Sequence, residues 1–163
     1  LAAATALGAT KLWMRFPGGI FAGMVGDRVG NPLVMIWLFF LSALSCLALA
    51  LMPTTPDWAW TLWAFIFPFA LLAYGLRGVF WALLYNCSIP TRVLGTAIGV
   101  VSIVGYSPDA YVPQVAAWLH THHDTTTAYQ GFFAYVAAAA GVGMAASWVL
   151  YRLTLEHQRV ASP

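Results

Sequence analysis

The sequence predicts an all-α protein that crosses a membrane several times. Three observations carry that reading. Apolar residues make up 61% of the 163 and charged residues only 7%, and mean hydropathy is +0.78. A soluble domain carries about 25% charge, so this chain has too little to solvate a surface. The apolar residues also fall in runs of roughly 20, the length a membrane helix needs. A disordered chain and a soluble enzyme are both excluded. The formal net charge of +2 is too small and too scattered for a nucleic-acid partner. The lipid bilayer is the expected surround.

Five spans follow, at about 1–25, 33–52, 60–84, 93–119 and 128–153, with a cytoplasmic tail at 154–163. The first carries two cations, Lys11 and Arg15. The second has no charge and is rich in Leu and Phe, as a lipid-facing helix should be. The third is interrupted by Pro68 and Arg77. The fourth carries Gly95 and Gly99, which allow close backbone approach. Its Pro108 and Pro113 free backbone carbonyls and bend or break the helix, with Asp109 at that bend. Ser88 is placed to cap it, with Pro90 in its first turn. The fifth presents a small-residue face, Ala137 to Ala140 and Gly141-Val-Gly143, for close packing.

The connections fall at 26–32, 53–59, 85–92 and 120–127, each with turn chemistry. The first residue is Leu and no basic segment precedes an apolar core, so no signal peptide is expected and the true start reads as lying upstream. Cys46 and Cys87 are too differently placed to form a disulfide or a metal site.

Orientation follows from the basic residues in the loops. Arg28, Arg92 and Arg159 occupy the first and third connections and the tail, with Arg152 beside it. The other two connections hold Asp57, Asp124 and three histidines. The first set is therefore expected inside, together with the C-terminus. Trp58, Trp60, Trp63 and Trp118 then mark the outer interface, and Tyr85 and Tyr151 the inner one.

Charge at membrane depth is the strongest functional signal. Lys11, Arg15, Arg77 and Asp109 lie in spans one, three and four. Such residues are expensive in a bilayer and face a cavity or a partner. Lys11 and Arg15 are four apart, hence on one helix face, which Gly18, Gly19 and Ala22 continue with small side chains. Three cations against one carboxylate leave an excess that an anion would neutralise. Arg offers a planar fork for carboxylate or phosphate, so Arg15, Lys11 and Arg77 are the candidate solute ligands. Asp109 can carry a proton in symport, or it can serve as the permanent partner of Arg77 or Arg15. Both readings stand at this point.

The first connection reads Gly23-Met-Val-Gly26-Asp27-Arg28-Val29-Gly30-Asn31-Pro32. It resembles the G-x-x-x-D-R-x-G signature of the major facilitator superfamily, matching at Gly23, Asp27, Arg28 and Gly30. It departs at Asn31 and Pro32, where that family carries basic residues. The resemblance implies helices eight to twelve of a twelve-helix fold, with an N-terminal half preceding this chain as its partner. It also implies a gating role for the four matched residues, through contacts of Asp27 with a helix N-terminus and an ion pair from Arg28.

Other patterns are weaker. His120-Thr-His122-His123-Asp124 lacks a metal-ligand framework and reads as a solvated loop. Gly105-Tyr-Ser107 has no histidine at membrane depth to activate the serine. No phosphate-binding glycine loop is present, so ATP hydrolysis is not expected. No catalytic residue, metal or cofactor is expected. The resulting expectation is secondary active transport of a small anion by alternating access, coupled to protons if Asp109 takes the first of its two roles. The alternatives are a non-transporting membrane subunit and a membrane-embedded enzyme.

Overall fold

The computed structural model describes residues 13–53, 59–86 and 89–161. Five helices account for nearly all of them: α1 (Arg15–Val29), α2 (Asn31–Leu51), α3 (Ala59–Asn86), α4 (Thr91–His122) and α5 (Thr125–Ala161). Segments within α2 to α5 are long and apolar enough to cross a membrane: Asn31–Leu51, Ala64–Leu83, Thr91–His122 and Thr125–Leu155. The 15 residues described in α1 fall short of the roughly 20 that a crossing needs. Lys11, Asp57, Trp58, Cys87 and Ser88 lie outside the described residues.

The first and last connections are shorter than the sequence predicts. Helix α1 continues to Val29, and the break before α2 is Gly30 alone. Gly30 adopts a φ of 103°, a backbone region that suits glycine, and its N–H donates to the Gly26 carbonyl at 2.9 Å. Pro32 follows in the first turn of α2, where a missing N–H matters least. Between α4 and α5 only His123 and Asp124 intervene. Pro90 occupies the N-cap of α4 rather than its first turn. Connections this short make successive helices run in alternate directions. Arg28, Arg92 and Arg152 then share one end of the bundle, and Trp60, Trp118 and Asp124 share the other.

Helix α2 sits in the middle. It packs against α1, α3 and α5, most extensively against α5. Its Val34 and Met35 join Ala22 of α1 and Val79 of α3 in the core cluster, flanked by Leu38, Phe39, Phe80 and Leu83. The sequence reading of α2 as a lipid-facing support is therefore corrected. A helix that is apolar all round is equally a central one, and small residues on its neighbours decide which. A Cβ at Gly18 would lie 2.7 Å from the Leu71 carbonyl oxygen, so α1 and α3 approach too closely for a side chain there. Gly143 of α5 takes the ring of Phe39 directly against its backbone.

Helix α4 is peripheral, with none of its residues buried. It leans on α5 and has no extended packing against α3. It also runs unbroken through Pro108 and Pro113, as α3 does through Pro68, so the break expected at the α4 prolines does not occur. Pro108 orphans the carbonyl of Val104, four residues back. The Ser107 hydroxyl donates to that carbonyl at 2.8 Å and restores a partner within the helix. Gly95 and Gly99 face open space, so the close approach expected of them is not made within the described residues.

Helix α5 starts on a side-chain cap that the sequence reading passed over. The Thr127 hydroxyl donates to Asp124 Oδ1 at 2.6 Å, and the Thr127 N–H donates to Oδ2 at 3.2 Å. These bonds hold the Asp124 carboxyl below its usual range, the hydroxyl bond being the larger cause. The helix continues to Ala161, so the tail expected from 154 is helical over most of its length.

Candidate functional site

The two ionisable groups of α3 and α4 meet. Arg77 Nη2 donates to both carboxylate oxygens of Asp109, at 2.8 and 2.9 Å. Of the two partners weighed for Asp109, the structure selects Arg77. Both groups lie inside candidate spans. Arg77 is about 9 Å from the Leu83 end of its apolar segment, and Asp109 about 20 Å from the end of α4, at 1.5 Å per residue. A charge pair at that depth is retained only against a substantial desolvation cost.

The pair is not sealed. The side chains are 48% and 58% exposed. Arg77 lines a cavity of about 310 Å³ between α2, α3 and α4. Nη2 is occupied by Asp109, while no acceptor meets Nη1 or Nε among the described residues. Arginine carries five N–H donors in a planar fork, so part of this one remains available. The Arg77 guanidinium stands over the Tyr106 ring, 5.7 Å from its centroid. Tyr106 in turn lies 6.3 Å from the Trp81 ring, which meets Phe80 edge-on at 5.4 Å.

Tyr106 and Trp81 were not singled out by the sequence reading, although the signal was present. Tyr106 precedes Asp109 by three residues and Trp81 follows Arg77 by four. Those spacings put each aromatic on the same helix face as its charged neighbour.

The remaining candidates do not converge on this site. Arg15 is exposed and has no ion-pair partner among the described residues. The face it shares with Gly18 and Ala22 turns against α3 at those two residues. Asp27 and Arg28 are exposed near the end of α1 and are likewise unpaired among the described residues. Gly23 faces open space. Gly26, by contrast, is covered by the Asn31 side chain. At the opposite end, the His122 ring stacks on Trp118 with centroids 4.8 Å apart. Its Nδ1 lies 2.9 Å from the Trp118 carbonyl oxygen.

No family model matches the chain, and no solved structure matches it. The chain is similar to the Inner membrane protein YqcE of Escherichia coli (strain K12), with 29% identity over 80 residues. That match covers 48% of this chain and 19% of the relative. The chain is an all-α multi-pass membrane protein by its four candidate spans, and the relative is named as a protein of the inner membrane.

The resemblance to the major facilitator superfamily is corrected by these findings, and the twelve-helix placement falls with it. The relative is named only as an inner membrane protein, and no family model supports the signature. The structure supplies another reason for the motif. Arg28 lies in the last turn of α1 and Gly30 just beyond it. A cation near the helix C-terminus and a positive-φ glycine after it are the ordinary way a helix stops.

Proposed function

We propose that this chain lines a pathway for secondary transport of a small organic anion, with alternating access driven by making and breaking the Arg77–Asp109 pair. The observation that carries the reading is that pair, set within two candidate spans with both side chains about half exposed and Arg77 lining a cavity. A buried pair kept only for stability is commonly replaced by apolar residues at little loss. A pair with donors to spare beside a cavity is suited to exchanging one carboxylate for another.

The packing supports a gating role. Helices α3 and α4 lack extended contact elsewhere. The ion pair, with the Phe80 ring against Gly105 and Trp81 beside Tyr106, ties them together. An anion that engages Arg77, or a proton that neutralises Asp109, weakens that tie and lets α4 shift relative to α3. Arg77 is the charged group bonded to Asp109 among the described residues, and Tyr106 on α4 stands over the same guanidinium.

The test is counterflow and pH-driven uptake of labelled organic anions in proteoliposomes holding the whole native polypeptide. Asp109→Asn should retain exchange and lose accumulation driven by an inward proton gradient. Arg77→Gln should lose both, with partial recovery in Arg77→Lys. Gradient-driven accumulation that survives Asp109→Asn would remove the proton role. Undiminished exchange in Arg77→Gln would remove the anion site.

A further inference from the structure

The cavity beside Arg77 differs from two others in the bundle. One at α2 and α3, around Leu44, Ser45 and Phe65, and one at α1 to α3, around Val25, Trp37 and Leu38, carry no charged lining residue among the described residues. The Arg77 cavity places one cation among aromatic walls. Phe39 comes from α2, Phe80 and Trp81 from α3, and Tyr106 from α4, with Met35 closing one side. Its volume of about 310 Å³ is at the small end of ligand sites, which begin near roughly 300 Å³.

We infer that this cavity binds a planar aromatic monocarboxylate, its carboxylate on the free donors of Arg77 and its ring among Phe39, Phe80, Trp81 and Tyr106. This rests on the anion-transport reading and names the substrate class of that site. The charge count favours one negative charge, since Arg77 is the single cation of the wall among the described residues and Asp109 already holds one of its nitrogens. A multiply charged or heavily hydrated anion would lose water to apolar walls without replacement partners. A sugar-like anion would need many hydrogen-bonding groups, whereas the polar side chains of the wall among the described residues are Arg77, Tyr106 and Trp81. A flat ring instead finds four aromatic neighbours, which favour offset and edge-on contacts with another ring. The small volume selects a compact acid over a long-chain fatty acid drawn from the bilayer.

The experiment is equilibrium binding of labelled phenylacetate to the whole native polypeptide in lipid nanodiscs, with competition by benzoate, acetate, inorganic phosphate and laurate. Benzoate should compete within a few-fold of phenylacetate. Acetate and phosphate should be at least tenfold weaker, and laurate weaker than benzoate. Arg77→Gln should lower phenylacetate affinity at least tenfold. Trp81→Leu should lower it several-fold while leaving the affinity for acetate unchanged, and Trp81→Phe should restore most of it if the Leu variant folds poorly. Equal competition by acetate or phosphate would overturn the aromatic class and leave the anion site standing. Stronger competition by laurate would overturn it in favour of a lipid-derived acid. Binding of none of these acids, with labelled anion exchange intact in proteoliposomes, would overturn the inference alone. Loss of both would overturn the transport reading as well.

Discussion

At Pro108 the backbone of α4 loses one donor, and Ser107 supplies another from the preceding position. In hydrocarbon no water is available to do so, and an unsatisfied carbonyl costs several kcal/mol unless the helix relaxes around it. Ser107→Ala should therefore destabilise the protein by roughly 0.5–2 kcal/mol, read from unfolding in mixed micelles. Ser102, whose hydroxyl donates to the Ile98 carbonyl at 2.6 Å, offers the contrast. No proline removes the bond to Ile98, so Ser102→Ala should change stability by less.

Asp124 is a residue-scale switch of the ordinary kind. Its carboxyl is lowered in the folded state by the hydroxyl and N–H of Thr127. Its contribution to the start of α5 is present above the unfolded value near about 3.9 and is lost as pH falls through the lowered folded value. The Thr127 amide resonance should titrate with a midpoint below that of an unstructured aspartate. A midpoint at or above it would show that the cap is not formed. Asp124→Ala should speed hydrogen exchange in the first turn of α5 at neutral pH, and Asp124→Asn should largely preserve the protection.

Among the elements, close helix approach is concentrated at a few glycines. Gly18→Ala must push the Leu71 carbonyl and the Tyr74 Cβ away, at 2.7 and 3.2 Å. It should destabilise the α1–α3 contact by about 1–3 kcal/mol. Gly23→Ala, on the same helix, meets open space and should be neutral or slightly stabilising. Equal effects of the two substitutions on unfolding would mean that α1 does not pack as described.

The helical character of these elements was legible in the sequence, because apolar runs of membrane length admit few other structures. Their ends were less so. The reading of 26–32 and 120–127 as loops followed their turn-forming residues, but Asp27 and Arg28 are compatible with a final helical turn. The segment from His120 likewise tolerates helix up to a cap at Asp124. The break predicted at Pro108 failed because the rescue of the Val104 carbonyl depends on a rotamer of Ser107, which sequence spacing does not reveal.

For the whole molecule, charge identified Arg77 and Asp109 as residues of consequence, but their pairing depends on how α3 and α4 meet. The central place of α2 was hidden for a related reason. Its uniform hydrophobicity suits lipid and protein alike, and the choice is made by Gly143 and Ala22 on its neighbours. Tyr106 and Trp81 were missed because aromatics in membrane helices are common, and only their spacing from Asp109 and Arg77 marks them.

If the Arg77–Asp109 pair serves solute movement rather than bundle stability, removing both charges together should spare the fold and stop the exchange. The paired variant Arg77→Gln/Asp109→Asn separates the two, because it removes both charges and leaves neither one unpartnered. Anion exchange should be measured in proteoliposomes of the whole native polypeptide, alongside unfolding of the same preparation. The expected result is near-native stability with exchange reduced to background. Exchange at the native rate, or exchange lost only because the variant fails to fold where the single variants fold, would contradict it.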